Sequence, residues 1–261
     1  MTQIVQPEVD QERERLECVA ALTDPATFRY LSKNVGVGEG WCCAEVGAGA
    51  GSVVKWLANR VGHYGRVDAI DIDTNFLNEV EAPNVRIIKQ DITLTKLDPG
   101  SYDLVHAKIL LMHLPDRERV LRELAAALKP GGWLLVEEGD MRSFQRVDPP
   151  SPVLTRGTSA METFFYFMGV DPGYGMKLLP AVKRTGLNVG GTDCQLTAVQ
   201  AGTPEVKALS MSFAKLAPAI LKAGLMSESE VTEAFRQLNE PGDTVIYTPT
   251  VVSVWAQRPS A

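Results

Sequence analysis

Between residues 41 and 139 the chain alternates short, nearly unbroken apolar runs with stretches whose apolar residues recur every three or four positions. "WCCAEVG" (41–47), "RVDAIDI" (66–72), "NVRIIKQ" (84–90), "YDLVHA" (102–107) and "WLLVEEG" (133–139) are of the first kind and predict strands. Their near-continuous apolar character suits a parallel sheet covered on both faces. "SVVKWLANRVG" (52–62) has helical spacing through Val53, Trp56, Leu57, Ala58 and Val61. "DRERVLRELAAALKPGG" (116–132) predicts a second helix, with Asp116 as cap, Val120, Leu121, Leu124 and Leu128 as apolar stripe, and "KPGG" as its end. Alternating units of this size predict a doubly wound α/β sheet that binds ligands at the carboxyl ends of its strands.

The flanks are less regular. Residues 8–33 predict two helices broken at "LTDPAT". "DPPSP" (148–152) reads as a loop, "GTSAMETFFYFMG" (157–169) as a short helix and "GYGMKLLPAVKRTGL" (173–187) as a helix covering the sheet. "DCQLTAVQ" (193–200) predicts a strand, 204–239 a helical pair divided at "AGLMS", and "TVVSVWAQR" (250–258) a last strand.

The loop "GAGAG" (47–51) joins a strand to a helix, an arrangement that points backbone N–H groups at a ligand. A dinucleotide fingerprint requires G-x-G-x-x-G. Counted from Gly47, its last position is Ser52, and the third glycine comes one residue early at Gly51. Glu45 would place an acid near the ligand, unfavourable for a pyrophosphate and favourable for an ammonium group. Asp71, where the second strand should end, can accept both hydroxyls of a ribose. In "QDI" (90–92), Asp91 can accept from an adenine amine, and the Ile92 N–H can serve the ring nitrogen beside it.

Taken in order and spacing, "EVGAGAG", "AIDID", "KQDI", "SYDLVHAKILLMHLPD" and "LKPGGWLLVEE" resemble the class I S-adenosylmethionine-dependent methyltransferases over about residues 41–139. The resemblance implies a Rossmann-like, seven-stranded sheet whose last strand, 250–258, runs antiparallel between the fifth and sixth. It implies S-adenosylmethionine as cofactor and S-adenosylhomocysteine as product. Gly47 and Gly49 would pass beneath the methionine part, Glu45 would face its amino group, and Ala107 would touch the cofactor from the tip of the fourth strand. Asp71 would hold the ribose, and Asp91 with Ile92 the adenine. On this basis 1–40 is expected to be a helical cap and 41–140 the cofactor-binding core. Residues 141–261 would complete the sheet and carry helical lid insertions, in a single domain overall.

Methyl transfer from a sulfonium needs alignment, exclusion of water and, for some acceptors, a base. His63, in "GHYG", is expected to be exposed, and His113 to pack or cap the next helix. His106 is the candidate catalytic base, with a packing or supporting role as the alternative. Glu138 and Asp140 close the fifth strand and could reach the same pocket as His106, although strand-end carboxylates are usually solvated; "EEGD" is no convincing metal cluster, so no metal is expected. Met161, Phe164, Phe165, Phe167 and Met168 cannot share one narrow helical stripe. Phe165 and Tyr166 are therefore the candidate substrate contacts of a lid, the alternative being a helix buried beneath 204–239. An aromatic pocket suits a small or medium hydrophobic molecule.

Composition narrows the field further. A net charge of -6, a pI of about 5.2 and the lack of a basic run argue against nucleic acid as partner. No apolar stretch reaches membrane-span length, and "MTQIVQPEVDQERERLE" lacks the pattern of a signal peptide. Cys18, Cys42, Cys43 and Cys194 have no C-x-x-C spacing and read as buried free thiols of a cytoplasmic protein. The expected partner is a small-molecule substrate, and the expected assembly at most a homodimer. The reading that follows is a methyltransferase of bacterial secondary metabolism. Its alternatives are a non-methylating, cyclase-type enzyme on the same cofactor site, a nicotinamide-dependent oxidoreductase, disfavoured by Ser52 and Asp91, and a binding protein without activity.

Overall fold

The computed structural model describes residues 9–77 and 79–260; residues 1–8 of the expected helical cap lie outside the described residues. The helices, in chain order, are α1 (Val9–Arg29), α2 (Ser52–Val61), α3 (Arg117–Ala126), α4 (Pro152–Phe167), α5 (Gly175–Lys183), α6 (Lys207–Lys222) and α7 (Glu228–Asn239). They belong to two compact units, each assembled from three stretches of chain. A sheet unit takes Thr23–Gly139, Gly173–Gln195 and the chain from Val251 onward. A helical unit takes the chain up to Leu22, Asp140–Pro172 and Leu196–Thr250. The units thus cut across the consecutive blocks 1–40, 41–140 and 141–261.

The sheet unit is built on β1 (Cys42–Val46), β2 (Arg66–Asp71), β3 (Val85–Lys89), β4 (Tyr102–Lys108), β5 (Leu128–Asp140), β6 (Asn188–Gln195) and β7 (Thr250–Gln257). Their order is β3-β2-β1-β4-β5-β7-β6. β1 pairs in parallel with β2 and β4, and β7 runs antiparallel to β6, as the resemblance implies. The interior strands are apolar because both their faces are covered: Cys43, Val67, Leu104 and Leu135 are wholly buried with Leu31, Val54 and Leu57 of the covering helices. Each such side chain contributes about 1.5–3 kcal/mol relative to an exposed one. β3 lies at the sheet edge, and Ile87 there is exposed.

Five local expectations change. α1 runs unbroken through Pro25 and continues as a π-helical turn, Tyr30–Val35, closed by Gly36 at φ 75°. An interior proline costs about 3 kcal/mol or more; here Ala26, Thr27, Tyr30 and Leu31 are all buried, and that packing overrides the break at "LTDPAT". α3 ends at Ala126 rather than at "KPGG", which belongs to β5. The pairing of β4 with β5 slips there, between Tyr102–Leu128 and Leu104–Trp133, so Lys129–Gly132 bulge out of the ladder. Asp116 holds the cap position of α3, but its side chain makes no cap bond. β6 starts at Asn188, earlier than expected, and Leu196–Thr197 separate it from Ala198–Gln200. Of the four free cysteines, Cys43 is buried whereas Cys194 is exposed on β6, contrary to the expectation for it.

In the helical unit α4, α6 and α7 pack around Leu154, Met161, Phe213, Ile220 and Leu238. Val147–Asp148, Val245–Tyr247 and Ala198–Gln200 form a small antiparallel sheet in that order. Ser151 caps α4 ahead of Pro152, and Ser227 with Glu230 forms a capping box on α7. Among the described residues no helix is long and apolar enough to cross a membrane.

Candidate functional site

The first three strands end in a turn and two acids. Gly47, Gly49 and Gly51 all have left-handed backbones, at φ 76°, 52° and 78°. Their surroundings differ. A Cβ on Gly51 would lie 2.8 Å from Val80, and one on Gly47 3.2 Å from the Leu110 side chain, whereas one on Gly49 would meet nothing within 4 Å. Gly51 is therefore a packing requirement, and Gly49 marks an open approach to the backbone. The N–H groups of Gly47 and Ala48 donate to the Ile70 carbonyl, and that of Gly49 donates to Asp71 Oδ2 at 2.9 Å. The loop spends those donors on β2 instead of aiming them at a ligand, as the sequence reading supposed. It presents a bare surface rather than a phosphate cradle.

Asp71 closes β2; besides Gly49, it accepts the Asp73 N–H on Oδ1 at 3.0 Å. Asp91 follows β3, and both of its bonds from Thr93, N–H at 2.8 Å and Oγ1 at 2.6 Å, fall on Oδ1. Those bonds hold its carboxyl below the usual carboxylate range. Ile92 beside it is buried.

β4 brings His106 and Ala107 to the same end of the sheet, both wholly buried. His106 Nδ1 lies 2.6 Å from Glu45 Oε2 on β1, and Nε2 lies 3.1 Å from Glu137 Oε1 on β5. A general base needs a nitrogen within reach of the substrate. His106 has both nitrogens engaged and no exposure, a placement that does not offer it the base role. His63 and His113 are exposed.

Beyond β4 the backbone is strained. Ile109 has φ 51°, an outlier for a β-branched residue that costs about 1–3 kcal/mol. Glu138, expected to be solvated, is buried and accepts the next three N–H groups, from Leu110, Leu111 and Met112, at 3.2, 2.7 and 3.2 Å. Burial pushes its carboxyl up to about 7 against the pull of those bonds. Leu110, held in this way, is the residue that meets Gly47, so Glu138 braces the tip of β4 to the glycine turn. Asp140 is also buried, its carboxylate paired with Arg142. The sequence reading missed Glu137, Thr27, Ser253 and Leu110, and it named Glu138 without its bracing role. The alternation of Glu45, His106 and Glu137 with apolar neighbours was the available signal.

Phe165 and Tyr166 lie on α4 of the helical unit. Phe164 and Phe165 pack partly against that unit's core, whereas Tyr166, Phe167 and Met168 are exposed, Tyr166 by 57%. Among the described residues no cluster of three or more His, Cys, Asp or Glu side chains could hold a metal ion.

A doubly wound sheet of this strand order, with a bare glycine turn after β1 and acids closing β1 and β2, defines the class I methyltransferase architecture. Residues 44–136 match the family described as "Methyltransferase domain". The chain is 32% identical over 149 residues to "Methyltransferase str2" of the fungus Strobilurus tenacellus, a match covering 54% of this chain and 51% of that protein. It thus spans about half the length of the curated relatives it matches. A solved S-adenosylmethionine-dependent methyltransferase from Aquifex aeolicus superposes with a TM-score of 0.53 at 16% identity, over 94% of this chain and 97% of that one. The [4+2]-cyclase SpnF superposes with a TM-score of 0.55 at 16% identity, over 90% of this chain and 81% of that one.

Proposed function

We propose that the protein transfers the methyl group of S-adenosylmethionine to a small or medium hydrophobic molecule and releases S-adenosylhomocysteine. The observation that carries this reading is the open backbone at Gly49, tied to the Asp71 carboxylate, with the acid Glu45 two residues before the turn. That arrangement fits a cationic ligand with a ribose. Three of the loop's donors, on Gly47, Ala48 and Gly49, are already committed to β2, which leaves fewer for a pyrophosphate and counts against the nicotinamide alternative.

When bound, the cofactor supplies a methyl group on a positively charged sulfur, open to in-line displacement. Asp71 would accept from the ribose hydroxyls, Asp91 and the Ile92 N–H would hold the adenine, and Glu45 would face the amino group. Gly47 and Gly49 would let the chain of the cofactor pass close to the backbone, with Ala107 beside it. Phe165 and Tyr166 would contact the substrate; the exposed aromatic end of α4 supports that use. The free thiols fit a reducing cytoplasm. The relative str2 is fungal, so the bacterial setting has no support from it, and the metabolic setting we keep is secondary metabolism in general.

The test is incubation with cofactor labelled in its methyl group and a panel of hydrophobic acceptors. Label in an extractable product, with stoichiometric S-adenosylhomocysteine, is the expected result. Cofactor binding without S-adenosylhomocysteine formation would favour the cyclase-type alternative, which the SpnF likeness keeps within reach of this fold.

A further inference from the structure

A row of hydrogen-bonded polar side chains crosses four neighbouring strands of the sheet. Glu45 and His106 are register partners on β1 and β4. Leu135 is the partner of His106 on β5, so Glu137, two residues further along, projects from the same face. His106 bridges the two carboxylates through its two ring nitrogens. Thr27 of α1 donates to Glu137 Oε1 at 2.7 Å, and Ser253 of β7 donates to Oε2 at 2.7 Å. All five residues are buried. Lys108, the next residue on that face of β4, pairs with Asp24 and donates to Thr23 Oγ1 at 3.2 Å. The ionisable groups around the ring are therefore Glu45 and Glu137, with the Lys108–Asp24 pair beyond them.

Charge decides what such a row can do. Burial is the largest influence on the ring and favours its neutral form, but the two carboxylates outweigh it and push His106 up to about 9. Burial pushes Glu45 up, and His106 opposes that rise. Glu137, despite burial, is held below its ordinary value by His106. A buried carboxylate without a partner neutralises itself by taking up a proton. With the ring and both carboxylates charged, the row carries an excess of one negative charge, to which the Lys108–Asp24 pair adds nothing. Thr27 and Ser253 occupy both oxygens of Glu137, so the excess is directed to Glu45, which stands two residues before the glycine turn.

Resting on the reading of Glu45 as the carboxylate that meets the cofactor's amino group, we propose that His106 is a positioning residue. It clamps Glu45 in its ionised form, so that the row selects ligands whose amino-acid tail brings the one positive charge that neutralises it. S-Adenosylhomocysteine carries that ammonium group. Methylthioadenosine has the same nucleoside and sulfur without it.

Calorimetry on the full chain with both ligands tests the proposal. His106→Gln is expected to weaken S-adenosylhomocysteine about tenfold or more and to leave methylthioadenosine within about twofold. Thr27→Val keeps the side-chain shape and removes one bond to Glu137; it is expected to act with the same selectivity, by about two- to threefold. Equal losses for both ligands, or no loss for either, overturn the proposal. A readout that needs no variant is ¹⁵N NMR of the histidine rings. The buried His106 ring should be doubly protonated at pH 7.5; a neutral His106 ring overturns the clamp even if a variant fails to fold. Failure of the wild type to bind S-adenosylhomocysteine at all is a different result, and it removes the cofactor reading itself.

Discussion

The carboxylate of Asp71 accepts the N–H of Gly49 at 2.9 Å, which fastens the end of β2 to the middle of the glycine turn. One side chain thereby shapes the loop and stands where the ribose is proposed to lie. Asp71→Ala removes both functions. Hydrogen bonds to a charged group are worth about 1.5–3 kcal/mol each, so affinity for S-adenosylhomocysteine should fall by about a hundredfold or more. Asp71→Asn keeps one acceptor oxygen and should lose less. Calorimetry beside a thermal melt checks both, and unchanged affinity in a folded Ala variant would move the ribose elsewhere.

The glycines of the turn should separate stability from binding. Gly51→Ala combines a left-handed backbone with a contact at 2.8 Å from Val80, and should cost about 2–4 kcal/mol of stability. Gly49→Ala meets open space and should cost only about 1–2 kcal/mol, while its methyl group obstructs the approach to the backbone. Denaturant melts and cofactor titrations on the two variants should rank them in opposite orders.

Stability should fall on the alkaline side because of His106. Its folded value of about 9 lies above its ordinary value of 6.5, so its contribution is complete below 6.5 and is lost as pH rises through 9. Melting temperatures of the wild type and His106→Gln, followed from pH 6 to pH 9.5, should therefore converge as the pH rises. A difference that stays constant across that window would mean the ring is neutral in the folded protein.

The end of α4 should divide in the same manner. Tyr166 is 57% exposed, so Tyr166→Ala should change stability by no more than about 0.5 kcal/mol. Phe165 packs partly against the helical core, and Phe165→Ala should lower the melting point measurably. With an acceptor identified, Tyr166→Ala should raise its KM without altering cofactor affinity. An unchanged KM would take the lid away from this helix.

Much of the architecture was legible from local pattern. The strands ending at Val46, Asp71 and Lys89 and the helix opening at Ser52 follow from apolar runs and one glycine turn, features that need no distant partner to be recognised. The acids Glu45, Asp71 and Asp91 stood out because each interrupts an apolar run at a strand end. Where local signals misled, packing had overruled them. Pro25 stays inside α1 because its neighbours are buried, and "KPGG" joins β5 because β4 lies alongside it.

The sequence by itself therefore determined the alternation of elements, the family of the 44–136 stretch and the acids that close its strands. Tertiary structure alone decided what those groups do to one another. Thr27, Glu45, His106, Glu137 and Ser253 are far apart along the chain and become one row only when β1, β4, β5 and β7 lie side by side beneath α1. A histidine at a strand tip reads equally as base or brace. Which it is depends on whether its nitrogens face solvent or carboxylates, and strand order, which no local run of residues encodes, sets that.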